Sequence, residues 1–224
     1  MSARARLVTL AIVATVGLSA VVARRLADRP RARAPAEIED YLFWQPRPLV
    51  DFMLARVGGR SFGPSDFEGR WTFVFFGYTH CPDVCPLTLA VLAQVWALLE
   101  KEPSALQQAQ ALFVSVDPGR DTPESLADYV AYVDRRFVGV TGSAKQVDAL
   151  SRQVGALYSI HAKPAEGVQD SYLVTHNSTI FLVDPQGRLF GRFPPPHAPL
   201  EVVEVFLKIR TFHADRSRQR WAFW

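Results

Sequence analysis

The two cysteines of this 224-residue chain lie four positions apart, where the sequence changes from the pattern of a strand to that of a helix. Residues 71–78, WTFVFFGY, form a continuous apolar and aromatic run with the length of a buried strand. The segment THCPDVCP follows with Cys81 and Cys85, and LTLAVLAQVWALLEKE then has apolar residues at helical spacing. A strand that is apolar on both faces must be covered on both faces, which favours the interior of an α/β sheet.

The rest of the chain alternates between strand and helix patterns. Apolar runs predict strands at residues 111–116, 138–141, 179–183 and 188–193, and helical patterns begin at Thr122, Ser143 and Pro199. Alternating strands and helices imply a parallel sheet, to which the last two strands add an antiparallel hairpin at the edge. This order of elements predicts an α/β protein with a thioredoxin-like fold, in which residues 51–69 form an additional N-terminal hairpin.

The N-terminus has a different character from the rest. Residues 7–23 are uncharged and flanked by arginines, which predicts one N-terminal transmembrane helix, with a cleaved signal peptide as the alternative. Residues 1–33 carry seven arginines and one acid, so the remainder has a formal charge of −3 within the total of +3 and is a poor match for nucleic acid. We predict a basic N-terminus (1–6), a transmembrane anchor (7–23), a Pro/Arg-rich tether (24–44), a folded domain (45–213) and a C-terminal tail (214–224).

The spacing of Cys81 and Cys85 would let the two side chains act together. Residues four apart on a helix lie on one face, about 5–6 Å apart, so both sulfurs can reach one atom or each other. A helix N-terminus also favours the thiolate, which is both the nucleophile and the metal ligand. Metal binding and redox exchange are the leading hypotheses, and a structural disulfide or two buried apolar side chains are the alternatives.

Two thiolates need a further ligand to hold most metals. The chain offers five histidines, which are His80, His161, His176, His197 and His213. We predict that His176 completes the site, because the segment before strand 179–183 faces the cysteine motif in a thioredoxin-like fold. Two thiolates and one imidazole suit copper or zinc, and a site with three protein ligands stays open for exchange.

Four segments of the sequence resemble one known family. FFGYTHCPDVCPLTLA, VSVDPGRDTPESLADYV, FVGVTGS and YLVTHNSTIFLVDPQGRL are similar to the Sco/SenC copper chaperones of cytochrome c oxidase assembly, and the similarity covers about residues 45–210. The resemblance implies a membrane-tethered, thioredoxin-like domain that binds one Cu(I) or Cu(II) per monomer through Cys81, Cys85 and His176. It also implies that the protein delivers copper to the dinuclear copper site of oxidase subunit II, or reduces the cysteines of that site.

The resemblance also implies where the protein acts and with what. We expect the bacterial inner membrane with the domain facing the periplasm, or alternatively the intermembrane-space side of the mitochondrial inner membrane. The implied partners are cytochrome c oxidase subunit II or another haem–copper oxidase, and other copper carriers. We expect a metallochaperone in which Cys81 and Cys85 also supply any thiol–disulfide reductase activity.

The sequence departs from the family pattern beside the histidine. Thr175 stands where the family often has an acidic residue, and Asn177 where it often has Ser or Thr, which bears on metal affinity more than on the ligand set. Asp83, Asp117 and Asp121 match the family, and we predict helix-capping and turn roles for them. The alternative functions are a thiol–disulfide oxidoreductase that needs no His176, and a peroxiredoxin-like peroxidase, which would use one cysteine.

Overall fold

The computed structural model describes residues 34–160 and 174–221, together with Gly17 and Ser19. The helices are α1 (Ala36–Glu39), α2 (Val84–Leu99), α3 (Pro103–Gln107), α4 (Pro123–Val133), α5 (Ala144–Val154) and α6 (Pro199–Trp221). The strands are β1 (Leu42–Pro48), β2 (Leu54–Arg56), β3 (Arg60–Phe62), β4 (Trp71–Gly77), β5 (Ala109–Ser115), β6 (Val138–Thr141), β7 (Tyr158–Ile160), β8 (Val174–His176), β9 (Ile180–Val183) and β10 (Arg188–Phe193).

Eight strands form one mixed sheet in the order β1-β10-β9-β4-β5-β6-β2-β3. β4 is parallel to β5, and β5 is parallel to β6, while β9 and β10 add the antiparallel hairpin. All seven residues of β4 are buried, because the strand lies inside the sheet and both of its faces are covered. The α/β prediction and the closing hairpin are confirmed, but the hairpin does not form the edge of the sheet, because β1 pairs with β10 beyond it.

Aromatic side chains fasten three helices to one face of the sheet. The ring of Phe73 in β4 meets Trp96 of α2 at 5.3 Å and Phe206 of α6 at 4.8 Å. Phe113 of β5 lies on the same face and meets Tyr129 of α4 at 5.6 Å. The side of the sheet that carries α2 and α4 is therefore the side on which Cys85 lies.

The additional N-terminal hairpin is present. β2 and β3 pair with each other in antiparallel fashion, and β2 also pairs with β6, so the hairpin extends the sheet at one edge. Gly58 and Gly59 have φ values of 77° and 69° in the turn between the strands, a backbone conformation that favours glycine.

The folded part of the chain begins before residue 45. Residues 36–44, predicted as tether, instead supply α1 and the start of β1, which pairs with β10. Ile38 is fully buried, and the ring of Tyr41 meets Phe193 at 5.7 Å. The Pro- and Arg-rich composition of this region does not reveal that Ile38 and Tyr41 are part of the core. Their role depends on contacts with residues far away in the sequence.

The C-terminal helix is longer than predicted. α6 runs through Trp221, so most of the segment predicted as a tail from 214 is helical. His213 in this extension lies against Trp71 and Phe190, with ring centroids 5.0 and 5.3 Å away. The extension is thus held at the start of β4, the end opposite the cysteines.

The predicted transmembrane anchor, apart from Gly17 and Ser19, lies outside the described residues. Among the helices that the structure describes, none is long and apolar enough to cross a bilayer.

Candidate thiol and metal site

The two cysteines lie together just beyond the end of β4. Cys81 belongs to the turn after the strand, where its N–H donates to the carbonyl of Tyr78 at 3.3 Å, and Cys85 is the second residue of α2. The i, i+4 geometry of a helix does not apply to this pair, because α2 begins only at Val84. The turn nevertheless brings the two thiols into hydrogen-bond contact with each other.

Gly77 makes the close approach of strand and thiol feasible. A Cβ atom at this last position of β4 would lie 2.7 Å from Cys85 Sγ and 2.7 Å from Cε2 of Phe113. Contacts that short would force the thiol or the ring to move. The glycine therefore lets the sulfur of Cys85 lie directly against the end of the strand.

Burial raises the pKa of the Cys85 thiol above its ordinary value. A backbone hydrogen bond at Tyr78 acts in the opposite direction, while the thiol of Cys81 and the negative charge of Asp121 raise the pKa further. The helix N-terminus, which favours the thiolate, does not lower the pKa of this thiol in the metal-free protein. A fully buried sulfur loses its hydration, and that cost outweighs the favourable dipole.

Asp121 is a buried carboxylate that holds the loop in front of Cys81. Its oxygens accept hydrogen bonds from the backbone N–H and the hydroxyl of Thr79, at 3.0 and 2.5 Å, and from the hydroxyl of Ser115 at 2.5 Å. The Asp121 N–H in turn donates to the carbonyl of Asp117 at 3.0 Å. Asp121 is therefore more than a turn residue, since it fixes the loop of the thiol motif to the end of β5.

Asp117 has the turn role predicted for it, with an added partner. Its carboxylate is buried and accepts a 2.5 Å hydrogen bond from Nε of Arg120. The Arg120 guanidinium lies 5.5 Å from the ring centroid of Tyr78, so the pair is connected to the strand that leads to Cys81. Asp83 occupies the N-cap position of α2, but within the described part of the chain its side chain makes no capping hydrogen bond.

His176 ends β8, which pairs with β7 so that His176 lies opposite Tyr158. The Asn177 N–H donates to the Leu157 carbonyl at 3.2 Å, and Nε2 of His197 donates to the Ser178 carbonyl at 2.7 Å. Two distant segments thus hold the chain just after His176. The side chain of His176 lies outside the described part of the structure, so its predicted role as a ligand stays a prediction.

The remaining histidines have other surroundings. His80 is mostly exposed and contacts the Thr79 hydroxyl at 3.0 Å, and His213 contacts Gln186 at 2.7 Å far from the thiols. His161 lies outside the described residues. Among the side chains that the structure describes, no group of three or more His, Cys, Asp or Glu residues forms a metal site.

Three residues in or beside the site have no obvious sequence signature, and Tyr129 is one of them because its ring meets Phe113, which borders Cys85. Gly77, Ser115 and Tyr129 come from the ends of two strands and from a helix 52 positions beyond Gly77. A tyrosine at helical spacing is ordinarily a core residue, and a serine after an apolar run ordinarily ends a strand. The position of Ser115 at the carboxyl end of β5, beside the end of β4, was the one available clue.

The thiol pair lies between a central strand and the next helix, and the mixed sheet ends with a hairpin and a helix. This combination defines a thioredoxin-like thiol or metal-binding protein. The sequence model of one family, SCO1/SenC, matches residues 46–210. The chain therefore belongs to the SCO1/SenC family, which confirms the resemblance.

Solved structures of Sco proteins are similar to this chain. Apo Sco1 from Thermus thermophilus has a TM-score of 0.66 and 35% identity, covering 75% of this chain and 94% of that one. ScoI from Arabidopsis thaliana, solved with copper bound, has a TM-score of 0.63 and 28% identity, covering 75% and 98%. The thioredoxin-like fold is confirmed by these structures.

The similar sequences come from mitochondria and bacteria. The mitochondrial SCO2 homologue of Bos taurus is 44% identical over 137 residues, which is 61% of this chain and 50% of that protein. A relative from Stutzerimonas stutzeri, whose name refers to copper binding, is 32% identical over 199 residues, which is 86% of this chain and 88% of that protein. The matches span 50% to 63% of the length of the mammalian SCO2 relatives.

Proposed function

We propose that this protein is a membrane-tethered copper-binding assembly factor that holds one copper ion through Cys81, Cys85 and His176. The observation that carries the proposal is the contact between the two thiols at the end of β4. Two sulfurs at hydrogen-bond distance need little rearrangement to share one metal ion. Family membership supports copper as that ion, because relatives of this fold have been solved with copper bound.

The donor set suits copper as a cargo. Thiolates are soft ligands that select Cu(I), and imidazole suits Cu(I) and Cu(II). Cys85 is protonated in the metal-free protein, so copper binding displaces its proton and becomes weaker as the pH falls. Cys81 is partly exposed, which gives a copper donor or acceptor access to the site from solvent.

We further propose that the copper is passed to a cytochrome c oxidase, at the dinuclear copper site of subunit II. Membership of the SCO1/SenC family supports this assignment, and the occurrence of relatives in mitochondria and bacteria supports action at an energy-coupling membrane. The proposed location is the bacterial inner membrane, with residues 7–23 as the anchor and the domain in the periplasm. The intermembrane space of mitochondria is the alternative.

The test is titration of the reduced chain with Cu(I) against a competing chelator. We expect one copper per monomer, loss of tight binding in Cys81→Ser and Cys85→Ser, and weaker retention in His176→Ala, because each variant removes one of the three proposed ligands and the thiolates are the softer ones. His80→Ala is the matched control and should bind as wild type does, since His80 contacts Thr79 and Asp121. Unchanged binding in either serine variant would refute the site.

The thiol contact also supports a second function, reduction of disulfides in partner proteins. That reaction needs both sulfurs, since one attacks the partner and the other resolves the mixed disulfide. It does not need His176. A His176→Ala variant that loses copper but still reduces a disulfide substrate at the wild-type rate would favour this second function.

A further inference from the structure

The hydroxyl of Tyr129 is buried, and it has no hydrogen-bond partner among the described residues. A buried hydroxyl without a partner lowers stability, because it has given up its hydrogen bonds to water and gained none in the protein. A native site tolerates such a cost where the missing partner arrives in another functional state. The surroundings of Tyr129 identify what that partner is.

Tyr129 reaches the thiol pair through one intervening ring. The centroid of the Tyr129 ring lies 5.6 Å from that of Phe113. Phe113 in turn borders the sulfur of Cys85 at the end of β4, because Cε2 of Phe113 and Sγ of Cys85 would each lie 2.7 Å from a Cβ atom placed on Gly77. The helices that carry Cys85 and Tyr129, α2 and α4, also contact each other. Tyr129 therefore lies one ring away from the buried sulfur of Cys85, and its hydroxyl makes no hydrogen bond to that sulfur in the thiol state.

The electrostatics of Tyr129 agree with this position. Burial is the main cause that raises the pKa of the phenol, and smaller electrostatic contributions come from Cys85, Cys81 and Asp121 in that order. The hydroxyl therefore keeps its proton and remains a hydrogen-bond donor. The acidic groups that act on it most strongly are the two proposed copper ligands.

We propose that Tyr129 is a positioning residue of the thiol site, whose hydroxyl donates a hydrogen bond to the Cys85 sulfur in the copper-bound and exchange-active states. This inference rests on the proposed function. In both states the sulfur has given up its proton and carries negative charge, and water cannot reach it because Cys85 is fully buried. A hydrogen bond to an ionised acceptor is about twice as strong as a neutral one, so the partner missing in the thiol state is supplied by the thiolate.

The test compares Tyr129→Phe with Tyr132→Phe in the full chain. Tyr132 lies on the same helix, is 94% exposed and loses the same hydroxyl, so it is the matched control. The first measurement needs no metal: oxidised glutathione takes two electrons and the two thiol protons from Cys81 and Cys85, giving their disulfide and two molecules of reduced glutathione. The second is the rate at which the Cu(I)-loaded chain loses copper to a chelator, with the sulfur-to-Cu(II) absorption band recorded on the Cu(II) form.

We expect Tyr129→Phe to form the disulfide roughly ten-fold more slowly and to release copper roughly ten-fold faster than wild type, as loss of a hydrogen bond to a charged group implies. The absorption band should move to longer wavelength, because a sulfur without the hydrogen bond is a better electron donor. Thermal stability should stay equal or rise, since the variant removes a buried hydroxyl that has no partner in the thiol state. Tyr132→Phe should match wild type in every measurement.

Two results would overturn the inference. One is a Tyr129→Phe variant that matches Tyr132→Phe in both rates and in the absorption band. The other is a loss of stability with unchanged rates, which would give the hydroxyl a purely structural role. Failure of the wild-type chain to bind copper would instead refute the proposed function, and the glutathione measurement would still decide the role of Tyr129.

Discussion

At two positions around the thiols, the residue is required by its packing against neighbouring atoms and not by any reactivity of its own. Gly77 is required because two atoms lie where a side chain would begin, and Asp121 because three donors point at one buried carboxylate. Neither residue is reactive. Their effect is to fix the distance between the strand end, the motif loop and the sulfur of Cys85.

We expect Gly77→Ala to destabilise the fold by about 1–3 kcal/mol, the usual cost of overpacking a well-packed interior. The same variant should form the Cys81–Cys85 disulfide more slowly, because the added methyl displaces Sγ of Cys85 or the ring of Phe113. Urea unfolding and thiol trapping measure the two effects. Gly63→Ala is the control: its Cβ would come no closer than 3.4 Å to Met53, and φ at Gly63 is −134°, which alanine adopts readily. A Gly77→Ala chain as stable as the control would contradict this view of the site.

Among the secondary-structure elements, the hairpin of β9 and β10 holds the end of α6 through one buried acid. The turn from Asp184 to Gly187 places the Asp184 carboxylate where it accepts hydrogen bonds from the backbone N–H and the Nε of Arg188, at 3.0 and 2.7 Å. Nε2 of His213 on α6 lies 3.6 Å from the same carboxylate, although its closer contact is with Gln186. The arrangement connects the last helix to the sheet.

This arrangement predicts acid sensitivity. Burial by itself raises the pKa of Asp184, but the nearby imidazole of His213 and the hydrogen bonds from Arg188 more than offset it, so the pKa lies below its ordinary value of 3.8. A carboxyl with a lowered pKa in the folded state contributes stability above its unfolded pKa and loses that contribution as the pH falls through the folded pKa.

We therefore expect Asp184→Asn to be less stable than wild type by about 1–3 kcal/mol at pH 7, and the difference to shrink as the pH is lowered from 5 to 2. Thermal melting across that pH range measures it. Asp215→Asn, which removes an exposed ion pair with Arg218 on the same helix, should cost less than about 1 kcal/mol. Parallel pH profiles for Asp184→Asn and wild type would show that Asp184 is not the group responsible.

The complete domain depends on a segment that its composition assigns to the tether. α1 and β1 close the edge of the sheet beside β10, with Ile38 buried and the N–H of Arg192 donating to the carbonyl of Tyr41 at 2.8 Å. The edge would otherwise expose the backbone of β10 to solvent and to other chains.

We expect a chain that starts at residue 45 to be less stable than one that starts at residue 34. The shorter chain loses the burial of Ile38, worth about 1.5–3 kcal/mol, and the ring contact between Tyr41 and Phe193. Urea unfolding of the two soluble fragments measures the difference, and Ile38→Ala in the longer fragment isolates the part due to one side chain. Equal stability of the two fragments would mean that residues 34–44 contribute nothing to the domain.

The sequence by itself determined the features that local patterns encode. The apolar run of β4 could only be an interior strand, the Thr122-Pro123 pair began a helix as predicted, with Thr122 accepting from Ser125, and the turn after Val183 produced the closing hairpin. The thiol pair was also recognisable in the sequence, because its two members are four residues apart and the only cysteines in the chain, while its role as a metal site stays a prediction. These predictions hold because period, capping and turn chemistry act between near neighbours along the chain.

Only the tertiary structure decided the pKa of the Cys85 thiol and the extent of the folded domain. The pKa of Cys85 rises because strands and helices far apart in sequence exclude water from it, which outweighs the local effect of the helix N-terminus. Gly77 and Phe113 border the sulfur for the same reason, Tyr129 packs behind Phe113, and Ile38 becomes a core residue only where α1 reaches α6. Burial is a property of contacts between distant segments, and a single sequence records the residues of such a contact without recording that they meet.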